Sequence, residues 1–147
     1  MKLTETISDD QAITVSDIFP TGYFGADLAE IIDGDTVAVF GFGPVGLMAI
    51  VSAQLFGAGR VIGVDQVAER LKRARELGAE VVDFSREDPV ETILDLTGGI
   101  GVDRVIDAVG VDAQLPRGGP GTGSRQTPLP LRFPGLSRQS PRRERFR

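Results

Sequence analysis

Apolar residues in this chain fall into short blocks whose spacing alternates between two periods. Thr36–Val37–Ala38–Val39–Phe40 and Val61–Ile62–Gly63–Val64, leading into Asp65, are continuous runs of strand length. Glu80 to Phe84 and residues 101–110 read as two more strands. Between them the pattern relaxes to helical spacing. Val45, Leu47, Met48, Ile50, Val51, Ala53 and Leu55 mark a helix from Pro44 to Phe56, while Val67, Leu71, Ala74 and Leu77 mark one from Val67 to Leu77. Pro89 to Leu96 makes a third, closed by Gly98 and Gly99, and Ser16 to Ile32 reads as an earlier helix starting at Ser16–Asp17. Strands that are apolar throughout are buried on both faces, which belongs to a parallel sheet with helices on either side. Strand–helix alternation with short turns therefore predicts an α/β fold with right-handed crossovers and spatial strand order 3-2-1-4.

The turn between the first strand and the next helix carries the chemistry. Gly41–Phe42–Gly43–Pro44–Val45–Gly46 has the G-x-G-x-x-G form, and Asp65 follows 19 residues after the last glycine, at the end of the second strand. A glycine sextet alone is common; strand, turn, helix, strand and acid in that order make the pattern specific for a dinucleotide. Gly41 allows a sharp exit from the strand, Gly43 lets a pyrophosphate approach the backbone, and Gly46 lets the helix pack closely. Pro44 suits a first helical turn, where its missing donor costs nothing. The helix start offers free N–H groups and the positive end of its dipole to phosphates. Asp65 is expected to accept both adenosine ribose hydroxyls and to repel a 2′-phosphate. Gln66 rather than arginine follows it, so NAD is favoured over NADP. These features define a partial Rossmann fold of about four strands.

Composition narrows the chemistry further. The chain has 147 residues, enough for one domain of ordinary size, and neither cysteine nor histidine. Disulfides, a thiol nucleophile, an imidazole base and a Cys/His zinc site are thereby excluded. No apolar stretch has the length of a membrane span and the start lacks a secretory core, so a cytoplasmic location is the default expectation. The net charge of −5 conceals a seam: residues 1–115 hold 8 basic and 20 acidic side chains, whereas residues 116–147 hold 8 arginines and one glutamate. That tail also has six of the nine prolines and no lysine. It reads as a segment without periodic structure, of the composition a GC-rich gene gives when translated out of frame. A basic nucleic-acid arm is the rival, which the missing lysines and two lone phenylalanines, Phe133 and Phe146, argue against.

Several segments together resemble the zinc-dependent medium-chain alcohol dehydrogenases, and most of all the formaldehyde-dehydrogenase-like branch, with threonine and sorbitol dehydrogenases near it. They are Asp17–Ile18–Phe19–Pro20–Thr21–Gly22–Tyr23, the turn Asp33–Gly34–Asp35, the glycine sextet, Val64–Asp65 with Arg70–Leu71, and Asp103 through Asp107 to Val109–Gly110. The resemblance runs from about Ser16 to Gln114. It implies that Thr21 sits against the nicotinamide ring and that Gly41, Gly43, Pro44 and Val45 line the pyrophosphate and the ring, with Gly46 completing the cofactor-binding turn. It also implies that Asp65 holds the adenosine ribose, Arg70 lies over the adenine or ribose, and Val109–Gly110 run near the nicotinamide ribose. In such enzymes a hydride passes between NAD and an alcohol or aldehyde bound to zinc. Read on their own, Thr21 is a helix-start residue bonding locally, and Arg70 is one of several solvated charges. Asp103 and Asp107 share a strand face and read as structural.

The chain departs from that pattern in three places. The Cys- and His-bearing domain that holds the zinc in the family is not represented, Phe24 stands where the branch carries histidine, and no fifth or sixth strand is legible. The expected organisation is a leader (1–15), a partial NAD-binding domain (16–114) and the tail (115–147). The fourth strand would then be an edge, with Val102, Val105, Ile106 and Val109 facing water or a neighbour, and stability would be marginal. The family's usual dimer, built on the last strands, is not expected. The leading functional reading is the cofactor-binding core of a zinc-type alcohol or aldehyde dehydrogenase, itself inactive. The alternatives are a stand-alone NAD-binding or regulatory module and a zinc-independent reductase of the quinone-reductase type.

Overall fold

The structure, a computed structural model, describes Ser8 and residues 12–109. The tail and Gly110 lie outside the described residues. Four strands, β1 (Thr36–Phe40), β2 (Arg60–Asp65), β3 (Glu80–Asp83) and β4 (Arg104–Asp107), form one parallel sheet in the order β3-β2-β1-β4. That is the order the alternation implies. Four helices accompany it: α1 (Phe19–Leu28), α2 (Pro44–Leu55), α3 (Ala68–Glu76) and α4 (Pro89–Leu96).

Side-chain alternation along the strands divides the core between two layers. Val37, Val39 and Val61 point to one face, where Ala26 of α1, Ala49, Ile50 and Ala53 of α2, and Leu71 and Ala74 of α3 cover them. Ala38, Ile62, Val64 and Val82 point to the other, against Ile93 of α4 and Val102. Almost all of these residues are fully buried, so β1 and β2 are the doubly covered strands their unbroken apolar runs require.

Two elements differ from the sequence reading. The first helix is entered through a wide π-helical turn, Thr14–Ile18, in which Phe19 N–H donates to the Thr14 carbonyl five residues back. Pro20 lacks the N–H that would continue an ordinary ladder, and a widened turn just before it accommodates the loss. Ser16 accordingly does not cap; its hydroxyl donates to the Ile13 carbonyl. The last strand is also shorter than the apolar run. Gly101 takes a left-handed conformation at φ 85°, and the Asp103 carboxylate accepts the Thr36 N–H at 2.9 Å, so residues 101–103 form a turn that pins β4 to β1.

The edge is better covered than expected. Val102 and Ile106 are buried, the first among the α4-side residues and the second beneath α1. Val105 and Val109 alone of the four are exposed. Pleating separates the two strand residues: Ile106 turns to the face that α1 covers, and Val105 to the opposite one, while Val102 precedes the strand and packs with Ile93.

Beside the core, Arg60 on β2 grips Glu80 on β3 through two bonds of 2.8 and 2.9 Å, and its remaining nitrogen donates to the Leu96 carbonyl at 3.0 Å. The bond from Arg60 holds the Glu80 carboxyl below its usual range, and the same bond raises the guanidinium. A lowered folded-state pKa means stability that is present above the ordinary glutamate value and lost as pH falls through the folded one. Acidification through and below the ordinary glutamate range is therefore expected to loosen β3. Both side chains are more than a third exposed, at 38% and 43%, so screening limits the effect to less than about 1 kcal/mol. Amide hydrogen exchange of β3 reads it, and Glu80→Gln should reduce the pH dependence to the part that Asp83 contributes.

Candidate functional site: a glycine turn clasped by a carboxylate

The site lies at the carboxyl ends of β1 and β2, where open parallel sheets bind ligands. The chain leaves β1 at Gly41, whose φ of 82° only glycine adopts easily, and Gly41 N–H still donates to the Val64 carbonyl of β2 at 2.9 Å. At Gly43 the chain turns into α2, and the first helical bond is Leu47 N–H to the Gly43 carbonyl at 3.0 Å. Pro44 has no donor. The N–H groups of Gly43, Val45 and Gly46 meet no acceptor among the described residues, and all three belong to the opening of a twelve-residue helix. These orphan donors and the dipole end together form an anion-binding feature.

The two later glycines are glycine for opposite reasons. A Cβ built on Gly43 meets nothing within 4 Å, so the space beside it is open to a ligand. A Cβ on Gly46 would coincide with the Gly41 carbonyl oxygen and come within 2.9 Å of its carbon. One marks room, the other close packing.

Asp65 closes the site from β2. It is only 4% exposed, and three backbone N–H groups converge on its carboxylate: Phe42 on Oδ2 at 2.6 Å, with Gln66 and Val67 on Oδ1 at 2.7 and 2.8 Å. A carboxylate has about four lone-pair positions, so one remains, on Oδ2. The sequence reading expected room for two hydroxyls; the backbone has taken part of it. The Arg70 guanidinium stands 3.8 Å from the same Oδ2, with its side chain half exposed.

The remaining expected residues divide. Val109 packs on the turn, its Cγ2 lying 2.9 Å from where a Cβ of Gly41 would sit. Thr21 is on exposed α1 surface and its hydroxyl donates to the Asp17 carbonyl at 2.7 Å, the local bond of an ordinary helical threonine. Its neighbour Gly22 allows α1 to approach α2, since a Cβ there would lie 2.8 Å from Ala49 N. Asp107 caps its own strand end, accepting Val109 N–H at 2.9 Å. Asp83, beside Asp65 in register, is engaged locally; the Ser85 hydroxyl at 2.6 Å holds its carboxyl below the usual range. Sequence reasoning missed Phe42, written as a variable position in the motif. Its N–H anchors the turn and its ring is buried.

Comparison with known proteins gives this geometry its family. A family model described as zinc-binding dehydrogenase matches residues 44–118. An alcohol dehydrogenase of Cupriavidus necator is 45% identical over 112 residues, 76% of this chain and 31% of that protein. An NADP-dependent isopropanol dehydrogenase of Entamoeba histolytica is 43% identical over 109 residues, 74% of this chain and 30% of its own length. Among solved structures, the alcohol dehydrogenase TADH from Thermus sp. ATN1 superposes with a TM-score of 0.70 at 43% identity, covering 75% of this chain and 32% of that one.

The chain belongs to the zinc-type medium-chain alcohol dehydrogenase family and carries its Rossmann-type nucleotide fold. It spans about a third of the length of these relatives. The family uses a nicotinamide dinucleotide and zinc. The turn fits the first: open space at Gly43, orphan amides at the helix start, and an acid within hydrogen-bond reach of the turn. The second finds no fit here, because the sequence has no cysteine or histidine and no group of three or more carboxylates gathers among the described residues. No described helix is long and apolar enough to cross a membrane.

Proposed function

We propose that this chain is the NAD-binding core of a zinc-type alcohol or aldehyde dehydrogenase, supplying the cofactor side of a hydride transfer and none of the metal's ligands. When bound, NAD supplies the hydride acceptor for alcohol oxidation. The residues of this chain bind and orient it. The pyrophosphate sits on the N–H groups of Gly43, Val45 and Gly46, with Gly41 shaping the turn and Pro44 fixing the first helical φ. A ribose hydroxyl donates to the open lone pair of Asp65 Oδ2. Arg70 flanks the adenosine end, while Val109 and, on α1, Thr21 border the nicotinamide half.

NAD is the preferred form in this reading. A 2′-phosphate would meet a buried carboxylate that already holds three backbone donors, and Arg70 faces that carboxylate. Three relatives, the Entamoeba protein among them, bear NADP in their names, so the preference for NAD rests on Asp65 of this chain and not on its relatives.

The observation that carries the proposal is the unfilled space at Gly43 beside free amides. Gly43→Ala tests it directly. The backbone there has φ −59°, which alanine adopts without strain, and the new methyl touches no protein atom. Stability is expected to change by less than about 0.5 kcal/mol. NAD affinity is expected to fall about tenfold, because the methyl occupies the pyrophosphate's place. Titration of the full chain with NAD, alongside a urea melt, reads both. Unchanged affinity would rule this turn out as the phosphate site.

A further inference from the structure

We infer that Phe42 and Gly63 form a size-matched pair that positions the cofactor turn, with the ring of one seated on the bare backbone of the other. The inference rests on the NAD reading above and adds a positioning residue that touches no part of the ligand. Phe42 lies between two glycines at the mouth of the site, yet it is the largest of the side chains less than 2% exposed. A Cβ built on Gly63 would coincide with the end of its ring. Glycine in mid-strand weakens a sheet, and its usual reason is the close approach of another group. Here that group is identified.

The geometry gives the pair a consequence beyond packing. Residues 63 and 65 of β2 lie on the same face, one pleat apart. The ring of Phe42 rests on the first and its N–H donates to the carboxylate of the second at 2.6 Å. One residue of the turn is thus attached to β2 at two points, which fixes its backbone torsions and the aim of the amides that follow at Gly43, Val45 and Gly46. Because the Phe42 N–H is consumed by Asp65, it is not a phosphate donor; it acts through the shape of the turn.

The experiment uses the full 147-residue chain, labelled with nitrogen-15 and titrated with NAD. In the native chain the position-42 amide proton is expected far downfield, as a short bond to a carboxylate requires. Gly63→Ala should move it upfield and weaken NAD binding about tenfold, since the methyl displaces the ring. Phe42→Ala should weaken binding similarly. In that background, adding Gly63→Ala should change affinity less than about twofold, because no ring remains to collide with. The proposal is overturned if Gly63→Ala leaves the amide and the affinity unchanged in a folded chain. It is equally overturned if that substitution costs the same with and without the ring. Should Gly63→Ala not fold, Phe42→Ala only removes atoms, and an unmoved amide with native affinity would overturn the pairing alone. Absence of NAD-induced shifts in the native chain defeats the NAD reading, whereas an upfield move on Gly63→Ala still supports the pairing.

Discussion

Asp65→Ala is expected to lower stability by about 3 kcal/mol and NAD affinity more than about a hundredfold. The stability loss comes from the three backbone donors that the carboxylate satisfies. Gln66 and Val67 are exposed, so water can replace the acceptor there at small cost. Phe42 is buried, and its N–H would be stranded, a loss of about 1–3 kcal/mol by itself and larger for a bond to a charged group. Against a total stability of about 5–15 kcal/mol for an ordinary domain, this is a large share. Affinity falls further because the ribose loses its acceptor and the freed turn no longer aims its amides. Asp65→Asn separates the effects. Its carbonyl can still accept from Gln66 and Val67, but its NH2 then faces the Phe42 N–H, donor against donor. With the negative charge gone, discrimination against NADP should narrow in both variants. Urea melts with cofactor titrations measure all of this. A native midpoint for Asp65→Ala would show that the clasp contributes nothing to the fold.

The sheet was legible because its central strands are buried on both faces. Thr36–Phe40 and Arg60–Asp65 stand where their apolar runs end in glycine or acid, and strand order followed from alternation and handedness. Legibility failed where a single side chain decides a boundary. The fourth strand begins at Arg104 because the Asp103 carboxylate binds Thr36 N–H across 67 residues of sequence, a contact no local pattern encodes. Ser16 does not start the first helix because a widened π-helical turn, Thr14–Ile18, runs through it into α1 at Phe19, just ahead of Pro20. In the site, the acid and glycines were readable as types. The close packing at Gly46 was readable too, but the clasp around the acid was not. That Asp65 is largely occupied by backbone donors, and that Phe42 owes its place to Gly63, depends on distances between strands.

Gly46→Ala should fail in the opposite way to Gly43→Ala, although both change one glycine of one motif. The methyl at 46 would coincide with the Gly41 carbonyl oxygen and press within 3.4 Å of Ala108 Cβ. A flexible side chain could swing aside; a carbonyl in the chain's turn cannot. Gly41 is itself confined, held at φ 82° with Val109 Cγ2 and the Ala108 carbonyl crowding the position its own side chain would take. The strain must therefore be relieved by lifting α2 from the end of β1, which opens the packing of Ala49, Ile50 and Ala53 on Val37 and Val39. Overpacking commonly costs about 1–3 kcal/mol, and a backbone obstacle places this case at or above the upper end. Alanine's better helix propensity returns only about 1 kcal/mol. A net loss of about 3 kcal/mol is expected, with NAD binding lost together with the fold. Parallel urea melts and NAD titrations of the two variants give the contrast: position 43 loses the ligand and keeps the fold, position 46 loses both. If Gly46→Ala melts with the native chain, α2 does not dock on the turn as closely as this geometry requires, and the orphan amides are not aimed where the phosphate reading needs them.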